Sequence, residues 1–104
     1  SYIGQVGAAN QSNYSVSKAG IIAFTKSIAR EIADKNISIN SVCPGYVKTG
    51  LNEFSDKKEM RARNTSIMNI EANEKTFVEF VLFFLSSRVN GVTGQIFNLD
   101  SRII

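Results

Sequence analysis

The sequence predicts an α/β fold built on a parallel sheet, and three observations carry that expectation. Along 104 residues a long apolar-periodic segment, a short β-branched segment, a second apolar segment and a second short β-rich segment follow one another, which is the helix, strand, helix, strand rhythm of a sheet covered by its helices. The connection between the two strand candidates, residues 44 to 94, has room for the right-handed crossover that parallel strands require. Parallel sheets are buried on both faces and normally hold several strands, so two strands leave apolar edges uncovered and read as part of a doubly wound sheet.

The first residues, an apolar Tyr2-Ile3 followed by Gly4 and Gly7, read as the end of a strand whose body lies upstream. From Gln11 to Lys35 no Pro occurs, and Val16, Ala19, Ile22, Ala23, Ile28, Ala29, Ile32 and Ala33 recur at threes and fours, which predicts a long helix. Asn10, Ser12 and Asn13 are all suitable N-cap side chains, and Lys26, Arg30 and Asp34 mark a wet stripe. Small residues Ser15, Ser17, Ala19, Gly20 and Ala23 crowd the first half of this helix, where they let another backbone come close.

Ile37 to Cys43 is rich in β-branched residues and predicts a strand that Pro44-Gly45 ends. Residues 46 to 70 have weak periodicity, with a turn at Thr49-Gly50 and a short helix from Asp56 to about Asn64. Glu74 to Ser87 is apolar nearly all round, so that helix is expected to be covered on several sides. Gly91 and Gly94 bracket a turn before a second strand, Gln95 to Leu99.

Composition narrows the chemistry. With 43% hydrophobic and 20% charged residues the chain has an ordinary globular balance. It contains no His and only Cys43, so a Ser-His-Asp triad, a Cys-His pair and Cys/His zinc sites cannot be assembled from these residues. The formal charge is +3 and the pI about 9.2, but the two signs are interspersed, and the densest stretch, Asp56 to Arg63, reads as a solvated helix face. No nucleic-acid partner is expected. No apolar run reaches the roughly 18 residues of a membrane span, so no membrane partner is expected either. A single unpaired Cys fits a reducing compartment, and the expected location is the cytoplasm.

Tyr14 and Lys18 lie four residues apart near the start of the long helix, which sets phenol and ammonium on one face. A phenol is a poor proton donor or acceptor near neutral pH, and a neighbouring cation stabilises its anion. The spacing alone is common in helices, where a surface Tyr beside a solvated Lys is the ordinary outcome. Its neighbours change the odds: Ser1 lies thirteen residues before Tyr14, and Asn40-Ser41-Val42-Cys43-Pro44-Gly45, Thr49 and Thr93-Gly94-Gln95 follow in order.

This ordered set resembles the short-chain dehydrogenase/reductase family, and within it the 3-oxoacyl-acyl-carrier-protein reductase-like branch, over nearly the whole chain. The resemblance implies a partial Rossmann-like doubly wound sheet, with residues 1–104 as the C-terminal part of one domain and the dinucleotide-binding N-terminal half absent. It implies an oxidoreductase that transfers hydride between NADP or NAD and a small carbonyl, alcohol or acyl-thioester substrate. Tyr14 would be the general acid at the carbonyl oxygen and would also border the cofactor. Lys18 would lower its pKa and hold the nicotinamide ribose, and Ser1 would donate a hydrogen bond to the same oxygen. Pro44, Gly45, Val47 and Thr49 match the loop that meets the nicotinamide and its amide or phosphates. Asn40 is expected to secure the strand end by hydrogen bonding, and Cys43 to be a small buried residue.

The chain departs from the family pattern in places. The Gly-rich turn that cradles the pyrophosphate has no counterpart in these residues. Where relatives usually carry an Arg-x-Gly-x-Pro-Glu-Glu segment, this sequence reads Glu71-Ala72-Asn73-Glu74-Lys75-Thr76-Phe77, and where they end in Asp-Gly-Gly it reads Asp100-Ser101-Arg102. A homo-oligomer formed through the long helix 11–35 and the last strand is expected. The alternative reading is a truncated, catalytically silent fragment that acts only as an oligomerising structural module.

Overall fold

The computed structural model describes residues 1–47, 56–68 and 74–104. Helix α1 (Ile3–Val6) leads into the long helix α2 (Ser12–Glu31), and a 3-10 turn (Ala33–Lys35) precedes strand β1 (Ser41–Pro44). Helices α3 (Asp56–Thr65) and α4 (Glu74–Phe84) then lead to strand β2 (Ile96–Leu99). The strands pair in parallel, Ser41 beside Ile96 through Pro44 beside Leu99, as the sequence rhythm predicts.

Several local expectations are corrected. Tyr2 to Gly7 does not end a strand. It winds into a short helix because Ser1 Oγ accepts the Ile3 N–H at 3.2 Å and the following amides bond back by three and four residues. Gly7, at φ +75°, ends the turn. Helix α2 starts after Gln11 without a side-chain cap, and Asn13 Oδ1 instead accepts the Tyr14 N–H. The helix stops short of Lys35, with Asn36 in the left-handed region at φ 55°.

Strand β1 is shorter than the β-branched run. Ile37 to Asn40 lie outside it: one backbone bond persists there, from the Gly94 N–H to the Ile39 carbonyl at 2.7 Å, and side chains make the others. Thr93 Oγ1 accepts the Ile39 N–H, Asn40 Nδ2 donates to the Val92 carbonyl, and Asn40 Oδ1 accepts the Gln95 N–H. Asn40 thus bolts the start of one strand to the start of the other, the side-chain-to-backbone role expected of it. The Thr49-Gly50 turn falls outside the described residues.

Among the described residues only Thr25, Ala29 and Cys43 are buried, so the core lies where α2 crosses the sheet. The approach there is close. A Cβ on Gly94 would sit 3.2 Å from the Ala29 Cβ, and Gly94 also holds φ +70°, so both space and backbone demand glycine. On the other face Phe97 of β2 meets Phe80 and Phe84 of α4 with ring centroids 5.4 and 4.5 Å apart. Each such pair adds about 0.5–1.5 kcal/mol beyond the area it buries.

Helix α4 is not covered on several sides. One stripe stacks on Phe97, while Val78, Leu82 and Phe83 stay exposed, Phe83 with only the Arg88 guanidinium and the edge of Phe84 against its ring among the described residues. Val16 and Phe24 on α2 are exposed as well. The chain exposes 7619 Å², against about 5,800 Å² for a folded monomer of its mass. Large apolar faces therefore stand ready for cover.

Candidate active site

In open α/β sheets ligands collect outside the carboxyl ends of the strands, where helix and loop leave a crevice. Here that crevice is a cavity of about 630 Å³, and it contains Pro44, Gly45 and Tyr46 at the carboxyl end of β1. Tyr14 and Lys18 of α2 form a second wall and Ser1 a third. The structure thus brings five of the sequence-predicted residues, Ser1, Tyr14, Lys18, Pro44 and Gly45, to one cavity. Val47 is half-buried in the loop after β1 and does not line it. Thr49 lies outside the described residues.

The one-turn spacing of Tyr14 and Lys18 works out as expected: the ammonium sits 5.4 Å from the centre of the Tyr14 ring, within cation–π range. Tyr14 is 43% exposed, so its phenol can reach a ligand from solvent. Ser1 is placed by α1, whose Gly4 lies directly on α2. A Cβ there would come within 2.7 Å of the Lys18 Cβ and 2.8 Å of the Lys18 carbonyl carbon. This backbone contact fixes Ser1 relative to Lys18. The Ser1 hydroxyl oxygen accepts from Ile3, which leaves its own proton to donate. Cys43 lies beneath the cavity, 2% exposed, with Gln5 Nε2 3.4 Å from its sulfur. It is a packed residue, not an accessible nucleophile.

Comparisons with known proteins identify the family. The family model described as Enoyl-(Acyl carrier protein) reductase matches residues 1–101. The chain belongs to the short-chain dehydrogenase/reductase family. It is 34% identical over 108 residues to the 3-oxoacyl-acyl-carrier-protein reductase of Thermotoga maritima, covering 100% of this chain and 43% of that protein. It is 36% identical over 101 residues to the enzyme of that name from Chlamydia pneumoniae, covering 96% and 41%. A short chain dehydrogenase family protein from Francisella tularensis superposes with a TM-score of 0.77 at 28% identity, over 90% of this chain and 44% of the other. The chain therefore spans about two fifths of the curated relatives it matches.

For a short-chain dehydrogenase/reductase, the rest of the cavity lining was not legible beforehand. Tyr2, Lys58, Arg61 and Arg102 also line it. The stretch from Asp56 to Arg63 is a solvated face, as expected, with Lys58 and Arg61 both exposed, and that face also borders the cavity. The spacing Lys58, Arg61, Thr65 is the one available signal, since it marks one stripe of a helix. Nothing local says which stripe faces the cavity. Tertiary contacts decide it: the Ile67 N–H donates to the Ser101 carbonyl at 3.2 Å and Ser66 bridges to Arg102, which clamps the end of α3 to the C-terminal tail.

Proposed function

We propose that this chain is the C-terminal part of a single oxidoreductase domain and supplies its proton-transfer and substrate-side residues. The observation that supports this most is the meeting of Ser1, Tyr14 and Lys18 with the carboxyl end of β1 around one cavity. Bound there, NADP or NAD would supply or accept the hydride. The residues present fit that group in part: Lys18 offers an ammonium to ribose hydroxyls, and Pro44-Gly45 offers a narrow backbone edge. Tyr14 hands a proton to the carbonyl oxygen of the substrate, or takes one from the alcohol in reverse. Ser1 donates a hydrogen bond to the same oxygen and orients it.

Within that class, reduction of a 3-oxoacyl thioester is the proposed reaction, supported by the names of the relatives. The cytoplasm is the proposed location. Among the described residues no helix is long and apolar enough to cross a membrane. Titrating the protein with NADPH and NADH and following nucleotide fluorescence tests the reading. A saturable change is expected, weaker than a complete dinucleotide site gives because the pyrophosphate turn is not among these residues. No change at high micromolar nucleotide would overturn nucleotide-dependent activity for these residues.

A homo-oligomer through α2 and β2 is proposed with it, because Val16 is 71% and Phe24 59% exposed at positions eight apart on the small-residue side of α2. Light scattering should return a dimer or larger, and a well-folded monomer would count against it.

A further inference from the structure

We propose that Lys58, Arg61 and Arg102, which line the same cavity as Tyr14, form a phosphate subsite that holds the non-reacting end of the substrate. The inference rests on the reading of the cavity as a substrate site, and it concerns residues that reading does not use.

Among the described residues four cations line the cavity, Lys18, Lys58, Arg61 and Arg102, and no carboxylate does. On α3 the only carboxylate partner engaged among the described residues is Glu59, which pairs with Arg63 at 3.0 Å and so draws that arginine away. Lys58 and Arg61, three residues apart on the stripe that also carries Thr65, have no carboxylate partner among the described residues. Arg102 is fixed more firmly. Its Nε pairs with Asp100, its side chain is only 11% exposed, and its guanidinium lies 4.3 Å from the centre of the Tyr2 ring. Asp100 holds one edge of that planar group, and its terminal nitrogens make no hydrogen bond among the described residues.

A guanidinium braced on one edge and stacked on a ring is pre-organised for a bidentate oxyanion. Asp100 offsets the charge of Arg102, which leaves two uncompensated cations on α3. That matches the charge and the several acceptor oxygens of a phosphate better than a single carboxylate. Phosphate could reach the cavity on a thioester carrier arm or on the cofactor, and the proposed 3-oxoacyl thioester substrate commits this inference to the carrier arm.

The test is calorimetric, at low salt, with acetoacetyl-coenzyme A, its uncharged N-acetylcysteamine thioester counterpart, and NADPH. The double variant Lys58→Gln/Arg61→Gln should weaken acetoacetyl-coenzyme A binding about tenfold or more, as loss of charge-assisted hydrogen bonds implies. It should leave the uncharged thioester unchanged. Lys26→Gln/Arg30→Gln, which removes the same charge from outside the cavity, should change neither. Equal binding of the two thioesters by the unaltered protein, or no response to the α3 variant, would overturn the subsite. A response confined to NADPH would assign the phosphate to the cofactor and overturn the substrate assignment. If thioester binding behaves as expected while turnover is absent, the hydride-transfer reading falls and the phosphate subsite stands.

Discussion

Tyr14→Phe is expected to lower carbonyl turnover by about 10²–10⁴-fold, the usual contribution of a positioned general acid, while leaving nucleotide fluorescence titrations as they were. The substitution removes one oxygen from a ring that is 43% exposed, so little packing is lost. The ring stays 5.4 Å from the Lys18 ammonium, and the cation–π contact survives. Because the ligand-facing wall is otherwise intact, the loss should appear in kcat rather than KM. Retained turnover would refute the role given to Tyr14. Loss of nucleotide binding along with turnover would mean that the phenol serves the cofactor site instead.

Gly4→Ala is expected to destabilise the fold by about 1–3 kcal/mol, the range for forcing an extra methyl into a packed contact. Alanine in a helix gains about 0.5–1 kcal/mol over glycine, but here that gain is outweighed. The new Cβ would lie 2.7 Å from the Lys18 Cβ, 2.8 Å from its carbonyl carbon and 3.0 Å from the Ala19 nitrogen. Two of these atoms are backbone and cannot rotate aside, so α1 must lift from α2 and carry Ser1 away from Lys18. Gly20→Ala is the matched control. It lies in the middle of α2 with nothing within 4 Å of its Cβ, and it should stabilise by roughly 0.5–1 kcal/mol. Urea unfolding of the two variants decides the matter. Equal shifts in the same direction would show that α1 does not bear on α2.

These contrasts show how far the sequence could be read. The periodicity of α2, α3 and α4 and the β-rich runs of β1 and β2 are local properties, and parallel pairing follows from the length of the connection between the strands. The strand ends were less legible. Ile37 to Asn40 have β-branched composition, yet Asn40 and Thr93 interrupt the ladder with side-chain bonds that depend on residues more than fifty positions apart. Tyr2-Ile3 carries a strand-like composition, yet backbone bonds from Gly4 to Gly7 and the close contact of Gly4 with α2 hold it as a helical turn. The full coverage expected for α4 failed for a different reason: apolar composition states how much surface wants burial, not whether a partner in these residues supplies it.

The residues around Tyr14 and Lys18, their order and their family were decided by the sequence alone, because a helix fixes what stands one turn away. The cationic part of the cavity lining was decided only by the tertiary structure. Lys58, Arg61 and Arg102 come from two segments some forty residues apart, joined where Ser66 and Ile67 bridge to the C-terminal tail. A run of mixed charge on a short helix is read as solvated until something shows which stripe borders the cavity. Here a pair of backbone bonds between distant segments makes that choice, and such long-range contacts leave no periodic trace in the chain.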